Sequence, residues 1–305
     1  MIQPFLTFAS GWRSRRRLFR WLGAGLSLAA AAFLLYLLWS DRATLIGLEW
    51  SRYGRLVPAM LSLYLGSLVS QGLAWLVLAS SWHGVTWKDV EIFSRSTMMK
   101  ALPGTAWHWL GRTAMYSGET ALPGGAVVRA TALEVAFLIL SALALIPHGL
   151  ADVATSVAVL SSGLALATAI LLGLRWLPRP HPRAANAWRP VMLVLLYGLA
   201  WVCGGLILKG LTQAAGAPEL GWKQATTVWS VTGTAGLLVS FLPSSLGLRE
   251  LILVLLLAPN LPAARIVVLG GLLRLLFLAG DLVWGTVGWV MAWVLGHSPT
   301  ASPGG

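Results

Sequence analysis

Cysteine is all but missing from this chain. The one cysteine, Cys203, lies inside an apolar run, which excludes a disulfide framework and a cysteine-based metal site. The five histidines, His83, His108, His148, His181 and His297, are scattered without ligand spacing, so no metal is expected. No nucleotide-binding motif is present, and no cofactor is expected. Charge is scarce as well: 10% of the 305 residues are charged while 57% are hydrophobic. One soluble core cannot hide that much apolar surface, so a bilayer must supply the remaining solvent. The expected fold class is an all-α polytopic membrane protein.

Acidic residues are the scarcer sign, ten against 22 Lys and Arg, for a net charge of +12. The excess does not read as a nucleic-acid footprint. The arginines sit in short loops beside apolar segments, which is the positive-inside pattern of membrane proteins. Arg13, Arg15, Arg16, Arg17 and Arg20 precede an apolar run at 21–39. That run continues past its small residues, as a retained first helix does and a cleaved signal peptide does not. The expectation is therefore a bacterial-type cytoplasmic (inner) membrane protein, multi-pass, with a cytoplasmic N-terminus. The 17 tryptophans mostly fall near segment ends, as an interfacial belt requires. Trp107 and Trp109 fit that belt less well, and core packing is the plainer reading of them.

About six full transmembrane helices are expected, at 21–39, 56–79, 126–146, 154–174, 191–211 and 264–295, the last with room for a split near Gly285 or Gly288. The Pro- and Arg-rich stretch 175–190 reads as a cytoplasmic linker. It divides the chain into a basic segment with its first helix (1–55), a first repeat (56–174), a second repeat (191–296) and a disordered tail (297–305).

Each repeat contains a segment too short and too interrupted to cross, at 90–122 and at 225–258. The first breaks at Leu102-Pro103-Gly104 and reaches a second Leu-Pro at Pro123; the second breaks at Leu242-Pro243-Ser244 and reaches another at Pro262. Non-helical backbone at membrane depth survives only where protein or a watery cavity surrounds it. Both segments are thus expected to be re-entrant broken-helix hairpins. An odd number of spans separates them, so they enter from opposite faces as inverted repeats. Broken helices at matching places in inverted halves point to a transporter's central site.

Charges inside the apolar segments are costly and normally face the bundle interior with a partner. Glu134 and Arg274 fall at the same offset from the first proline of each break, with opposite sign, and are expected to pair across the pseudo-two-fold axis. Asp281 follows Arg274 by two helical turns and is an alternative partner. Glu119 and Glu250 are expected to neutralise Arg112 and Arg249. Lys100, Arg112, Arg129, Arg249 and Arg274 form the expected site for an anionic headgroup, because Arg captures phosphate in a two-pronged grip and helix N-termini add donors. The bland alternative makes Lys100 and Arg129 snorkelling anchors at the rim. Glu134 or Asp281 are the candidate proton carriers.

Lys100-Ala-Leu-Pro-Gly104 followed by Arg112, then Ala132-Leu-Glu134, and later Pro243-Ser-Ser-Leu-Gly-Leu-Arg-Glu250 with Arg274, resembles the transmembrane region of bacterial lysylphosphatidylglycerol synthases and of related stand-alone flippase-like membrane proteins. The resemblance covers most of 56–295. The family's later motif looks like Pro-x-Pro-Gly-Gly-Leu-Gly-x-Arg-Glu, where this chain has Ser244 and Ser245 in place of the glycines. The resemblance implies translocation of an anionic, aminoacylated or glycosylated lipid between leaflets, with membrane lipids as partners and a lipid-modifying enzyme as a further one. No stretch has the length or polarity of the synthases' soluble aminoacyl-transferase domain, so transport rather than synthesis is expected. The alternatives are a membrane-embedded enzyme acting on a lipid-linked substrate and a non-transporting envelope scaffold.

Overall fold

A computed structural model describes residues 49–82, 84–101, 107–120, 124–150, 154–177, 188–217, 220–239 and 248–296, with isolated positions between 32 and 42. The expected first span at 21–39 and the tail fall almost wholly outside these. So do four of the five expected break residues, Pro103, Gly104, Pro123 and Pro243. The described chain is all-α, with no strand.

Five helical stretches are long and apolar enough to cross a membrane. They are α1 (Trp50–Ala79), α4 (Gly124–Leu145, continued by a 3-10 turn Ile146–Gly149), α5 (Thr155–Trp176), α6 (Trp188–Ala214) and α9 (Ala263–Gly296). On α5 the leucines at 160 and 164 are 72% and 70% exposed, where a soluble helix would carry charge. Such an uninterrupted apolar surface identifies the protein as a multi-pass membrane protein. α9 runs unbroken through Gly285 and Gly288, so the expected split there does not occur. Those glycines serve packing instead: a methyl group at Gly285 would strike Met98, and one at Gly288 would strike Ser94.

The remaining helices are α2 (Trp87–Met98, then a 3-10 turn Met99–Ala101), α3 (Trp107–Glu119), α7 (Trp222–Val239) and α8 (Leu248–Leu257). At 1.5 Å per residue α2, α3 and α8 reach about 15–20 Å, well short of a hydrocarbon core of about 30 Å. α2 starts on a capping box, in which Asp89 accepts from the Thr86 amide at 2.7 Å and from the Thr86 hydroxyl at 2.8 Å. α2 and α3 form an antiparallel hairpin, because Lys88 meets Glu119, Asp89 meets Tyr116 and Ser96 meets Arg112. α8 likewise folds back on α9, with Pro262 at the turn and its carbonyl accepting from the Ile266 amide at 3.2 Å.

α1 and α6 form the most extensive helix pair, and they run antiparallel. Ser81 binds Arg189 at one end, Ser70 donates to the Leu196 carbonyl at 2.6 Å, and Met60 lies against Gly210 at the other end. α2 packs on α9, and α7 packs on α4 and its 3-10 turn. Gly216, at φ +97°, ends α6 with a left-handed turn that an L side chain would resist. Arg265 of α9 donates to the freed Ala215 carbonyl at 2.7 Å, which pins the start of α9 beside the end of α6. Two apolar clusters result. The larger joins α1, α6, α7, α8 and α9, and the smaller joins α1, α2, α3, α4 and α6.

Candidate functional site

Between the two apolar clusters runs a band of polar and charged side chains, and α1 supplies its spine. Tyr64, Ser67, Gln71 and Trp75 recur every three or four residues, so they share one face of a helix whose other faces are apolar. That stripe is the signal that reading for charges alone passed over, because none of the four is ionised.

At one end of the band Arg112 of α3 binds Glu134 of α4 at 2.8 Å, with side chains only 1% and 4% exposed. Arg112 Nε also donates to the Ser96 hydroxyl at 3.2 Å, and its guanidinium lies 4.1 Å from the Trp75 ring centre and 4.8 Å from that of Phe93. Trp75 in turn donates to the Tyr116 hydroxyl at 2.9 Å, and Tyr116 donates to buried Asp89 at 2.7 Å. The ion pair is therefore saturated on the cation's side by a carboxylate, a hydroxyl and two ring faces. Such a cage makes up for the desolvation of both charges.

At the other end Arg274 of α9 grips Glu250 of α8 with two hydrogen bonds, at 2.6 and 2.8 Å. Glu250 is buried, whereas the Arg274 side chain is 44% exposed. Arg112 precedes its carboxylate by 22 positions, and Glu250 precedes its arginine by 24. In both cases a short helix supplies one ion and the long helix after it supplies the other, with the signs exchanged.

The expected Glu134–Arg274 pair does not form, since each residue is taken by the short helix just before its own in the chain. Nor does Asp281 hold Arg274: Asp281 accepts from Tyr64 at 2.8 Å. Glu119 does not neutralise Arg112. It joins Lys88 at 2.7 Å and Arg95 at 3.2 Å at the open end of the α2–α3 hairpin. Glu250 accepts its hydrogen bonds from Arg274 and reaches its neighbour Arg249 through its field alone, because successive residues point away from each other around a helix.

Two cations link the ends. Lys100, on the turn that leads from α2 into 102–106, donates to Gln71 at 3.4 Å and lies in the fields of Asp281, Arg112 and Glu134. Arg249, in the first turn of α8, lies 4.3 Å from the Trp229 ring centre and 5.4 Å from that of Phe277. Its Nη2 is buried without a hydrogen-bond partner among the described residues. Phe277 stacks on Tyr64 at 4.4 Å, which joins this aromatic cage to the α1 stripe. Arg129, the fifth expected headgroup residue, is exposed on α4 and stands outside the band.

Within the band four cations, Lys100, Arg112, Arg249 and Arg274, face four carboxylates, Asp89, Glu134, Glu250 and Asp281. The charges balance in number, and Arg249 is the cation whose Nη2 has donors to spare among the described residues. Among the described residues no cluster of His, Cys, Asp and Glu is arranged to hold a metal ion. Compared with protein families, curated proteins and solved structures, the chain shows no match.

Proposed function

We propose that the protein is a lipid flippase-like membrane transporter that moves an anionic lipid headgroup between leaflets along this band. The observation that carries the reading is Arg249, a guanidinium held on aromatic faces with buried hydrogen-bond donors unused. Ring faces steady a cation without neutralising it or accepting its N–H groups in good geometry. A phosphate supplies both the charge and the acceptors. Acyl chains then trail over the apolar exterior while the headgroup travels among polar groups.

The packing supports an inverted-repeat mechanism. α1 and α6 lie antiparallel at the centre, α2 leans on α9 while α7 leans on α4, and each half carries one ion pair between a short helix and the long helix after it. In this reading the α2–α3 hairpin is re-entrant from the cytoplasmic side, with its charged open end at the rim. The segment containing α7 and α8 enters from the opposite face. Rocking of one half against the other would open the band to each leaflet in turn.

The test is reconstitution into liposomes with a headgroup-labelled fluorescent phosphatidylglycerol and a membrane-impermeant quencher. Expected is a growing quenchable fraction over protein-free vesicles, lowered strongly by Arg249→Ala. Inserted protein that gives no exchange overturns transport, and recovery of a chemically altered lipid favours the membrane-enzyme reading instead.

A further inference from the structure

Four carboxylates lie in the band, and they are not held alike: Asp89 is fixed as the cap at the start of α2. Glu134 is locked to Arg112 at 2.8 Å in a site almost closed to solvent. Adding a proton there would strand a buried guanidinium. Glu250 receives both arms of Arg274. Asp281 is 4% exposed, and its hydrogen bond comes from a neutral donor, the Tyr64 hydroxyl, at 2.8 Å. A phenol donates equally well to a carboxylate and to the carbonyl oxygen of a carboxylic acid. Among the described residues no cation is in salt-bridge contact with Asp281.

We infer that Asp281 is a proton-binding site that couples transport to a proton gradient, an inference that rests on the transport reading above. The groups facing it come from each neighbouring element. Tyr64 faces it from α1, Lys100 approaches from the turn after α2, and Arg249 of α8 lies in the field of the same Tyr64. Arg112 and Glu134 stand behind Lys100. An ionised Asp281 attracts Lys100, and Lys100 is carried on the turn that leads into 102–106. A protonated Asp281 releases that attraction and leaves Lys100 with its hydrogen bond to Gln71 and the weaker pull of Glu134.

The charge change is thus felt by the first hairpin at its tip. It is also felt by α9, which α2 touches at Gly285 and Gly288. A proton taken up from one face therefore loosens the contact between the two halves, and the band gains one positive charge as an anionic headgroup arrives. The proton and the anion enter together because each offsets the other's charge in a medium that tolerates neither alone.

The experiment has two arms. In the first, infrared difference spectra of the purified protein are titrated with pH. The carbonyl band of a protonated carboxylic acid is expected to rise as pH falls and to be missing from Asp281→Asn; a spectrum identical in both proteins overturns the inference whether or not lipid moves. In the second, exchange of the labelled phosphatidylglycerol is measured with and without a pH gradient. Wild-type exchange is expected to rise about tenfold per pH unit on the alkaline side of the midpoint, and Asp281→Asn to be flat. Tyr64→Phe is expected to move the midpoint while keeping the slope, which a purely structural role for Asp281 would not produce. Exchange that is present but indifferent to pH in wild type sinks the coupling and spares the transport; no exchange together with a titrating band sinks the transport and spares the proton site.

Discussion

Arg112 and Arg274 look alike in the sequence, each a lone arginine in an apolar setting, yet their surroundings predict different costs of removal. Arg112→Ala leaves Glu134 buried at 4% exposure without its cation, and a loss of about 3–5 kcal/mol is expected. Arg274→Ala should cost less, because its side chain is 44% exposed and water can reach the carboxylate it leaves behind. Thermal unfolding of the two variants in the same detergent orders them. Exchanging both charges, Arg112→Glu with Glu134→Arg, is expected to recover part of the loss, and no recovery would show that the cage rather than the pair matters. The ionised residues themselves were legible from the sequence, since charge in an apolar run demands a partner. Which partner was not: Glu134 and Arg274 share an offset, but each is closest in space to the short helix that folds back onto it.

At the scale of helices, close approach depends on glycine. Gly285→Leu or Gly288→Leu would drive α9 from α2 against Met98 or Ser94, a change expected to cost about 1–3 kcal/mol and to loosen the first hairpin. Gly66→Ala meets open space on α1 and should change stability by less than about 1 kcal/mol. Melting curves of the three variants check the contrast. The open end of the α2–α3 hairpin carries a pH dependence of its own. The hydrogen bond from Lys88 holds the Glu119 carboxyl below the usual carboxylate range, and the same bond raises Lys88 above the usual lysine range. A depressed carboxylate stabilises above its unfolded pKa and is lost as pH falls through the folded one. A raised lysine stabilises below its unfolded pKa and is lost as pH rises through the folded one. The clasp therefore holds across neutral pH and opens only in strong acid or strong alkali. With the two side chains 39% and 28% exposed it is worth no more than about 1 kcal/mol. Hydrogen exchange of α2 and α3 is expected to rise in acid before that of α6; simultaneous rise would remove the clasp. Helix lengths were well anticipated, because a span needs a long apolar run and a half-span cannot have one. The continuity of α9 was left open, because a glycine that breaks a helix and one that admits a neighbour read the same until the neighbour is in place.

Across the whole molecule, antiparallel packing of α1 and α6 sets the sidedness. Gly84 follows the end of α1 that meets the start of α6, whereas Lys223 lies beyond the other end of α6. In a Cys203→Ala background, single cysteines at these two positions are expected to react with an impermeant maleimide from opposite faces of sealed vesicles. Labelling from one face only would overturn the arrangement.

Composition alone determined that this chain lives in a bilayer, since no soluble core absorbs so much apolar surface, and its proline-punctuated stretches marked where helices would fall short. Periodicity and charge named the ionised residues that must face inward. Only the folded molecule decided which of them meet: contacts between α3 and α4, α8 and α9, and α1 and α9 depend on helix rotation and antiparallel return. Those are set by the fit of ridges, glycines and neutral groups such as Tyr64 and Gln71, whose role has no trace in charge or hydropathy.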